Sequence, residues 1–209
     1  MITIEFARTL YPADADSAHD FDHVLRVVQL ADRIARAEGA DVDIVRAAAL
    51  LHDIGLDEGR VGHETSAANR AKDLLREHGY SESFVDAVAH AIESHRFRSG
   101  PTPQTLEAKV LFDADKLDSI GAIGVARAVA FGAHRGQKLW GDVPADYADP
   151  MDGRAADPAQ HTSVHEFHVK LKKIKDRMFT ATGRAIAAER HAYMVGFYEQ
   201  LDREVKGSA

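Results

Sequence analysis

Apolar positions recur three and four residues apart along most of the chain, and apolar–polar alternation closed by two-residue glycine turns is nearly absent. This periodicity predicts an all-α fold, a compact multi-helix bundle. Helices are expected from Asp16 or Ser17 to about Glu38, from Asp41 or Asp43 to about Ile54, and over about 63–78, 82–96 and 105–118. The last of these is expected to continue towards Phe131 despite Gly121 and Gly124. Over about 163–205, Leu171, Ile174, Met178, Phe179, Ile186, Met194, Phe197 and Leu201 sustain a C-terminal helical region, with Gly183 as its expected break. The stretch at about 132–161 is rich in Gly, Pro and Asp and too long for an ordinary connection, so it reads as a loop or lid excursion. A single domain over 1–209 accommodates all of this.

Against that regular pattern a few polar side chains fall on apolar stripes. At about 100° per residue His23 aligns with Val27, Leu30 and Ile34, and His19 follows the same stripe one turn earlier. The segment AAALLHDIGLDEG, residues 47–59, reads as a buried helix that ends on adjacent His52 and Asp53 before Gly55. Asp53 thus lies near the negative end of a helix dipole, where an anion is disfavoured even before its desolvation is counted. An uncompensated buried charge costs several kcal/mol, so Asp53 has to be exposed, protonated, paired or metal-bound. On the helix at 105–118, with Leu111 at 0°, Asp115 falls at roughly 40° and Asp118 at roughly −20°, whereas Asp113 falls near 200°. Asp115 and Asp118 are therefore expected to point inward, and Asp113 to be a solvated acid.

An inward His, a His-Asp pair ending an apolar helix and an inward Asp supply two imidazoles and two carboxylates, a donor set suited to a divalent cation. The cation would compensate Asp53, and an ion preferring six positions would keep places for water and substrate oxygens. A core histidine satisfied by one hydrogen bond, and inward acids held in ion pairs, remain the structural alternatives.

Composition narrows the partners. At 209 residues and 45% hydrophobic content the chain supports a real core. It contains no Cys, so disulfides and thiolate metal sites are excluded and any metal is held by His, Asp, Glu or backbone oxygen. A net charge of −7 gives no global attraction to nucleic acid or anionic membranes. No window approaches the roughly 20 apolar residues of a membrane span, and the opening MITIEFARTLYPADADSAHD lacks a basic segment followed by an apolar core. A cytoplasmic protein without membrane attachment is expected, with nucleic acid an unfavoured partner.

The ordered set of His23 in HDFDHVLRV, His52 and Asp53 in LLHDIG, and Asp115 in DADKLD resembles the metal signature of the HD-domain phosphohydrolase superfamily. More narrowly, AAALLHDIG, DADKLDSIGAIGVAR and TGRAIAAERHAYMVGFYEQL look like the compact bacterial stand-alone HD hydrolases, over most of the chain and least across 135–160. The resemblance implies a helical fold, a divalent cation (Mn, Mg, Co, Ni or Fe) and hydrolysis of phosphoester or phosphoanhydride bonds, often in nucleotides. It makes His23, His52, Asp53 and Asp115 the metal ligands, with Asp53 also the catalytic residue that orients the attacking water. Some members recruit further histidines for a second metal. His63 in RVGHETSA and His95, on the stripe of Val88, Ala91 and Ile92, are the candidates for that role or for substrate contact. Arg26 and Lys116 are the nearest basic candidates for phosphate, although Lys116 can equally pair with a neighbouring Asp. Asp118 is a candidate to support the ligands from behind. Asp57 and Glu64 are close enough in sequence to shuttle protons, with solvation as their default.

The favoured activity is cleavage of a nucleoside triphosphate to monophosphate and pyrophosphate, with nucleotidase or cyclic-nucleotide phosphodiesterase activity as alternatives. A non-catalytic module that binds a nucleotide and reports it through oligomerisation is the rival outside enzymes. In the excursion, Trp140 and Tyr147 are placed to cover a base or a neighbouring subunit of a homo-oligomer, and no indispensable metal ligand is expected there.

Overall fold

A computed structural model describes residues 2–12, 21–55, 62–96, 101–147 and 160–208, and among these the chain forms helices and no strand. The helices are α1 (Ile4–Arg8), α2 (Phe21–Glu38), α3 (Val42–Leu51), α4 (His63–Glu77), α5 (Glu82–Glu93), α6 (Leu106–Leu117), α7 (Gly121–His134), α8 (Ser163–Val169) and α9 (Ala181–Val205). A 3₁₀ segment, Leu171–Arg177, follows α8. No described helix is long and apolar enough to cross a membrane.

The chain divides into two compact units. The first holds the described residues of Met1–Ala15, His19–Lys116 and Phe179–Gly183. Within it, α3 packs against α1, α2, α4 and α5, and α4 packs along α5. This is why α3 has almost no polar face: Val45, Ala47, Ala48, Ala49, Leu50 and Leu51 are all buried in it. Asp41 caps the helix as the sequence predicts, accepting from the main-chain N–H of Asp43 at 2.9 Å and of Ile44 at 3.2 Å. Opposite it, α2 buries the predicted stripe, with Val24, Val27, Ile34 and Ala35 fully enclosed. Ser81 caps α5, whose Val85, Val88, Ala91 and Ile92 are buried. The second unit holds the described residues of Leu117–Met178 and Arg184–Ala209. There α8 packs on α7 and on the 3₁₀ segment, Thr162 and His165 form a capping box, and Phe167 stacks on Tyr198 at 4.6 Å between ring centroids.

Several expectations need correction. The short α1 carries too few residues to show periodicity, and its cap, Thr3, accepts from Phe6. The helix of DADKLD does not run on to Phe131: it ends at Leu117, and α7 starts afresh at Gly121. The C-terminal region breaks at 170–180 rather than at Gly183, which lies in the first turn of α9. Gly183 is needed for a different reason. A Cβ there would sit 2.3 Å from Asp113 Oδ2 and 2.7 Å from Thr180 Oγ1. The expected caps Asp16 and Ser17, together with His19 and Asp57, lie outside the described residues. In the 132–161 stretch, 132–134 complete α7, 135–147 carry no helix, and 148–159 are outside the described residues.

Candidate metal centre

The end of α3 sets the geometry. His52 is the C-cap, entirely buried, and its Nδ1 meets the Ala49 carbonyl at 2.8 Å. A carbonyl only accepts, so Nδ1 carries the ring proton and Nε2 is left with a free lone pair. That Nε2 is buried and has no hydrogen-bond partner, an arrangement that costs free energy unless something fills the position. The N-terminal segment braces this turn: the Tyr11 hydroxyl donates to the Leu50 carbonyl at 2.9 Å. Burial, then the charge of Asp53, raise the Tyr11 phenol well above its ordinary range. Its role has no signal in the sequence beyond a lone aromatic ahead of α2.

Asp53 is 7% exposed, so the option of solvation is closed. Its two oxygens face different partners. Oδ2 lies 3.4 Å from His52 Nε2 and 3.7 Å from His23 Nε2, and His23 Nε2 in turn lies 3.4 Å from Asp115 Oδ1. Oδ1 lies 3.6 Å from His63 Nε2 and 3.8 Å from His95 Nε2. Two groups able to hold a metal result, His23–His52–Asp115 and Asp53–His63–His95, each with its ligand atoms within 4.8 Å of one another. Four imidazoles and two carboxylates, with a lone pair left unmatched on His52, fit divalent cations.

The electrostatics agree. Burial pushes Asp53 upward, but His52, His23 and His95 outweigh it and hold the carboxyl down to about 2. Asp115 is likewise held well below the ordinary range: burial opposes this, and Lys116 and then the His23 hydrogen bond prevail. Burial and then the neighbouring His52 drive His95 down to about 4, so its ring is neutral at physiological pH. Its Nδ1 meets the Ile92 carbonyl at 2.5 Å, which directs Nε2 inward by the same logic as in His52.

Of the acids in DADKLD, the helical phase separates them as expected but the environment of Asp113 does not match. Asp113 is fully buried rather than solvated, and it accepts from Phe179 N at 2.9 Å, Thr180 N at 2.8 Å and Thr180 Oγ1 at 2.7 Å. Both faces of α6 are covered, so polarity alone gave the wrong exposure. Asp118 belongs to the second unit, where its carboxylate accepts from Arg127 at 2.7 Å. Lys116 contacts Asp115 Oδ2, leaving Oδ1 towards His23. Arg26 is half-buried one turn after His23.

Gly55 brings in the second group. A Cβ there would meet Ala67 N and the His63 carbonyl, each at 2.7 Å, so only glycine lets the first turn of α4 pack onto the turn after Asp53. Glu64, in that first turn, is 6% exposed, 3.4 Å from His63 Nδ1 through Oε2, and held at both oxygens by Arg96 Nη1 at 3.1 and 3.0 Å. Burial raises the Glu64 carboxyl, and the backbone hydrogen bond with the Arg96 contact lowers it further than burial raises it. A shallow cavity of about 310 Å³ lined by Ile2, Asp43, Arg46, Ala47, Tyr80, Ser81 and Phe84 includes none of these ligands.

Comparison with known proteins is in keeping with this geometry. The HD domain family matches residues 20–120, the span that contains every ligand of both groups. Bacillus subtilis (strain 168) YpgQ is 37% identical over 198 residues, covering 93% of this chain and 88% of YpgQ. The crystal structure of YpgQ in complex with ADP superposes with a TM-score of 0.77 at 31% identity, over 99% of this chain and 100% of that one. An HD-superfamily hydrolase from Bacillus thuringiensis gives a TM-score of 0.73 at 32% identity, over 97% and 94% of the two chains. Sharing sequence and fold with these proteins along nearly its whole length, the chain belongs to the HD-domain hydrolase superfamily.

Proposed function

We propose that this chain is a phosphohydrolase that uses two divalent cations to cleave a nucleotide, with a nucleoside triphosphate cut to monophosphate and pyrophosphate as the favoured reaction. The observation that carries the reading is the division of Asp53, whose Oδ2 faces His52 and His23 while Oδ1 faces His63 and His95. A carboxylate shared in this way suits a bridging ligand, and two-metal sites a few ångströms apart recur in phosphoryl transfer. Divalent ions held there would supply hydroxide near neutral pH and neutralise phosphate oxygens. His23, His52 and Asp115 with Asp53 Oδ2 would hold one ion; His63, His95 and Asp53 Oδ1 the other.

The residues themselves have distinct tasks in this scheme. Asp53, with one oxygen towards each group, would orient the attacking water. Lys116 engages Asp115 Oδ2, leaving Oδ1 towards the first group, and offers positive charge beside the site, while Arg26 on α2 is a further candidate for phosphate. A nucleotide is supported as the substrate class by the ADP that accompanies the YpgQ crystal structure.

The test is a release assay across nucleoside tri-, di-, mono- and cyclic phosphates with Mn, Mg, Co, Ni and Fe(II). Pyrophosphate with nucleoside monophosphate is the expected product pair. Orthophosphate release from monophosphates would move the reading to a nucleotidase, ring opening to a cyclic phosphodiesterase. Tight nucleotide binding without turnover under every metal would leave a sensor module and refute the enzyme.

A further inference from the structure

Glu64 is a buried acid that the ligand set does not use. It sits between a histidine of the second group and a guanidinium: Oε2 is 3.4 Å from His63 Nδ1, and Arg96 Nη1 donates to both oxygens at 3.1 and 3.0 Å. His63 presents its other nitrogen to Asp53 Oδ1 at 3.6 Å. The order Arg96, Glu64, His63, Asp53 is therefore a line of alternating charge and ring that ends at the second group.

The two groups differ in the charge they offer a cation. The first has Asp115 for itself and one oxygen of Asp53; the second has only the other oxygen of Asp53 with two imidazoles. An ion in the second group would thus meet about one third of the carboxylate charge of one in the first, a gap that Lys116 beside Asp115 narrows, and the nearest further anion, Glu64, is partly cancelled by Arg96. A carboxylate behind a ligating imidazole raises the basicity of the nitrogen on the metal side and fixes the ring.

We infer that Glu64 is a positioning residue for His63 and that Arg96 attenuates its charge, keeping the second cation weakly held until substrate phosphate oxygens complete its shell. The inference rests on the two-metal reading. It makes the second ion arrive with the nucleotide, whereas the first is resident. Phosphate supplies the negative charge the protein withholds, so the metal and the substrate enhance each other's binding by the same factor.

Calorimetric and EPR titration of metal-stripped protein with Mn(II), alone and with a non-hydrolysable nucleoside triphosphate analogue, tests this in the full chain. The wild type is expected to bind one Mn(II) tightly and a second at least tenfold more weakly, with the analogue strengthening the second alone. Glu64→Gln, which keeps an acceptor near His63 but removes the charge, is expected to weaken the second ion by roughly 10- to 100-fold and leave the first unchanged. Arg96→Gln is expected to act in the opposite direction, tightening the second ion by roughly threefold or more.

If the pair only ties α4 to the segment after α5, the two variants would break the same contact and weaken the second ion alike, with matching drops in melting temperature. That pattern overturns the inference while the two-metal reading stands. A wild type that saturates at one Mn(II), with or without the analogue, overturns both. Two ions of equal affinity without nucleotide overturn the attenuation by Arg96.

Discussion

Replacing Asp113 tests whether the two faces of α6 serve different ends. Its buried carboxylate accepts from two main-chain N–H groups and one hydroxyl at Phe179 and Thr180, and so fastens the start of α9 to α6 within the first unit. Hydrogen bonds to a charged acceptor are worth about 1.5–3 kcal/mol each, offset in part by the cost of burying the carboxylate. Asp113→Ala strands all three donors, and the net loss is expected at about 3–5 kcal/mol. For a chain of this length that lowers the melting temperature by roughly 10 °C or more. Asp113→Asn keeps one oxygen but turns an NH₂ towards donors, for a loss on the order of 2 kcal/mol. Gly183→Ala should act in the same direction, because its Cβ would press on Asp113 Oδ2 at 2.3 Å. Asp115→Asn, about 160° around the helix, is expected instead to remove Mn(II) binding with little change in the melting of the metal-free protein. Thermal melts in EDTA and Mn(II) calorimetry on the same preparations give both readings. Comparable losses of Mn(II) affinity in folded Asp113→Asn and Asp115→Asn would refute the division. So would an Asp113→Ala protein melting within about 2 °C of the wild type.

Asp53→Ala is expected to abolish metal-dependent turnover, since the variant removes the carboxylate whose two oxygens face both groups; residual metal-dependent turnover near wild type would exclude Asp53 as the shared ligand. Because the unfolded chain binds a proton on His95 near its ordinary 6.5 and the folded chain only near about 4, stability of the metal-free protein should fall as pH drops from 6.5 towards 4, by on the order of 3 kcal/mol. Asp53, held at about 2 against an ordinary 3.8, adds a loss of the same sign at still lower pH, and urea melts in EDTA across this range that stay flat above pH 4 would contradict the buried neutral His95. Gly55→Ala should push the first turn of α4 away, lowering the affinity for the second Mn(II) more than for the first; equal affinities to wild type would show that the contact at 2.7 Å is relieved without moving His63.

The helices of the first unit were legible wherever one face meets solvent. Glu82–Glu93 and Val42–Leu51 start at the caps the sequence marks, Ser81 and Asp41, because capping is a local interaction that needs no knowledge of the rest of the chain. Boundaries decided by tertiary contact were not. The local cues for a stop after Leu117, Asp118-Ser119 and then Gly121 with its positive φ, were outweighed by the apolar residues on either side. The same holds for 170–180, where the turn through Phe179 is held by Asp113, an acid 66 residues earlier in the chain. Asp113 itself was misjudged for the same reason: an amphipathic pattern separates inside from outside only when one face is in water.

The centre divides along similar lines. Its first group could be assembled from sequence because each member contradicts its surroundings: His23 on a stripe of Val and Leu, a His-Asp pair ending an apolar helix, Asp115 in register with Leu111. Each contradiction is a free-energy cost that a cation relieves, and costs of that kind are visible without coordinates. His63 and Glu64 contradict nothing in their surroundings, and only the family resemblance and their nearness to the His-Asp pair singled them out. They open an ordinary amphipathic helix, where an acid in the first turn is favoured by the helix dipole and a histidine is unremarked. What makes them part of the centre is the packing of that turn on Gly55, a demand written on the opposite partner as the absence of a side chain. A glycine in a loop has many explanations, so the signal was present but could not be assigned. The buried Glu64–Arg96 pair joins residues 32 apart and is likewise set only once α4 and the segment after α5 meet. Polar residues that a fold buries by choice of neighbour, rather than by helical phase, are where sequence reading stops and geometry has to take over.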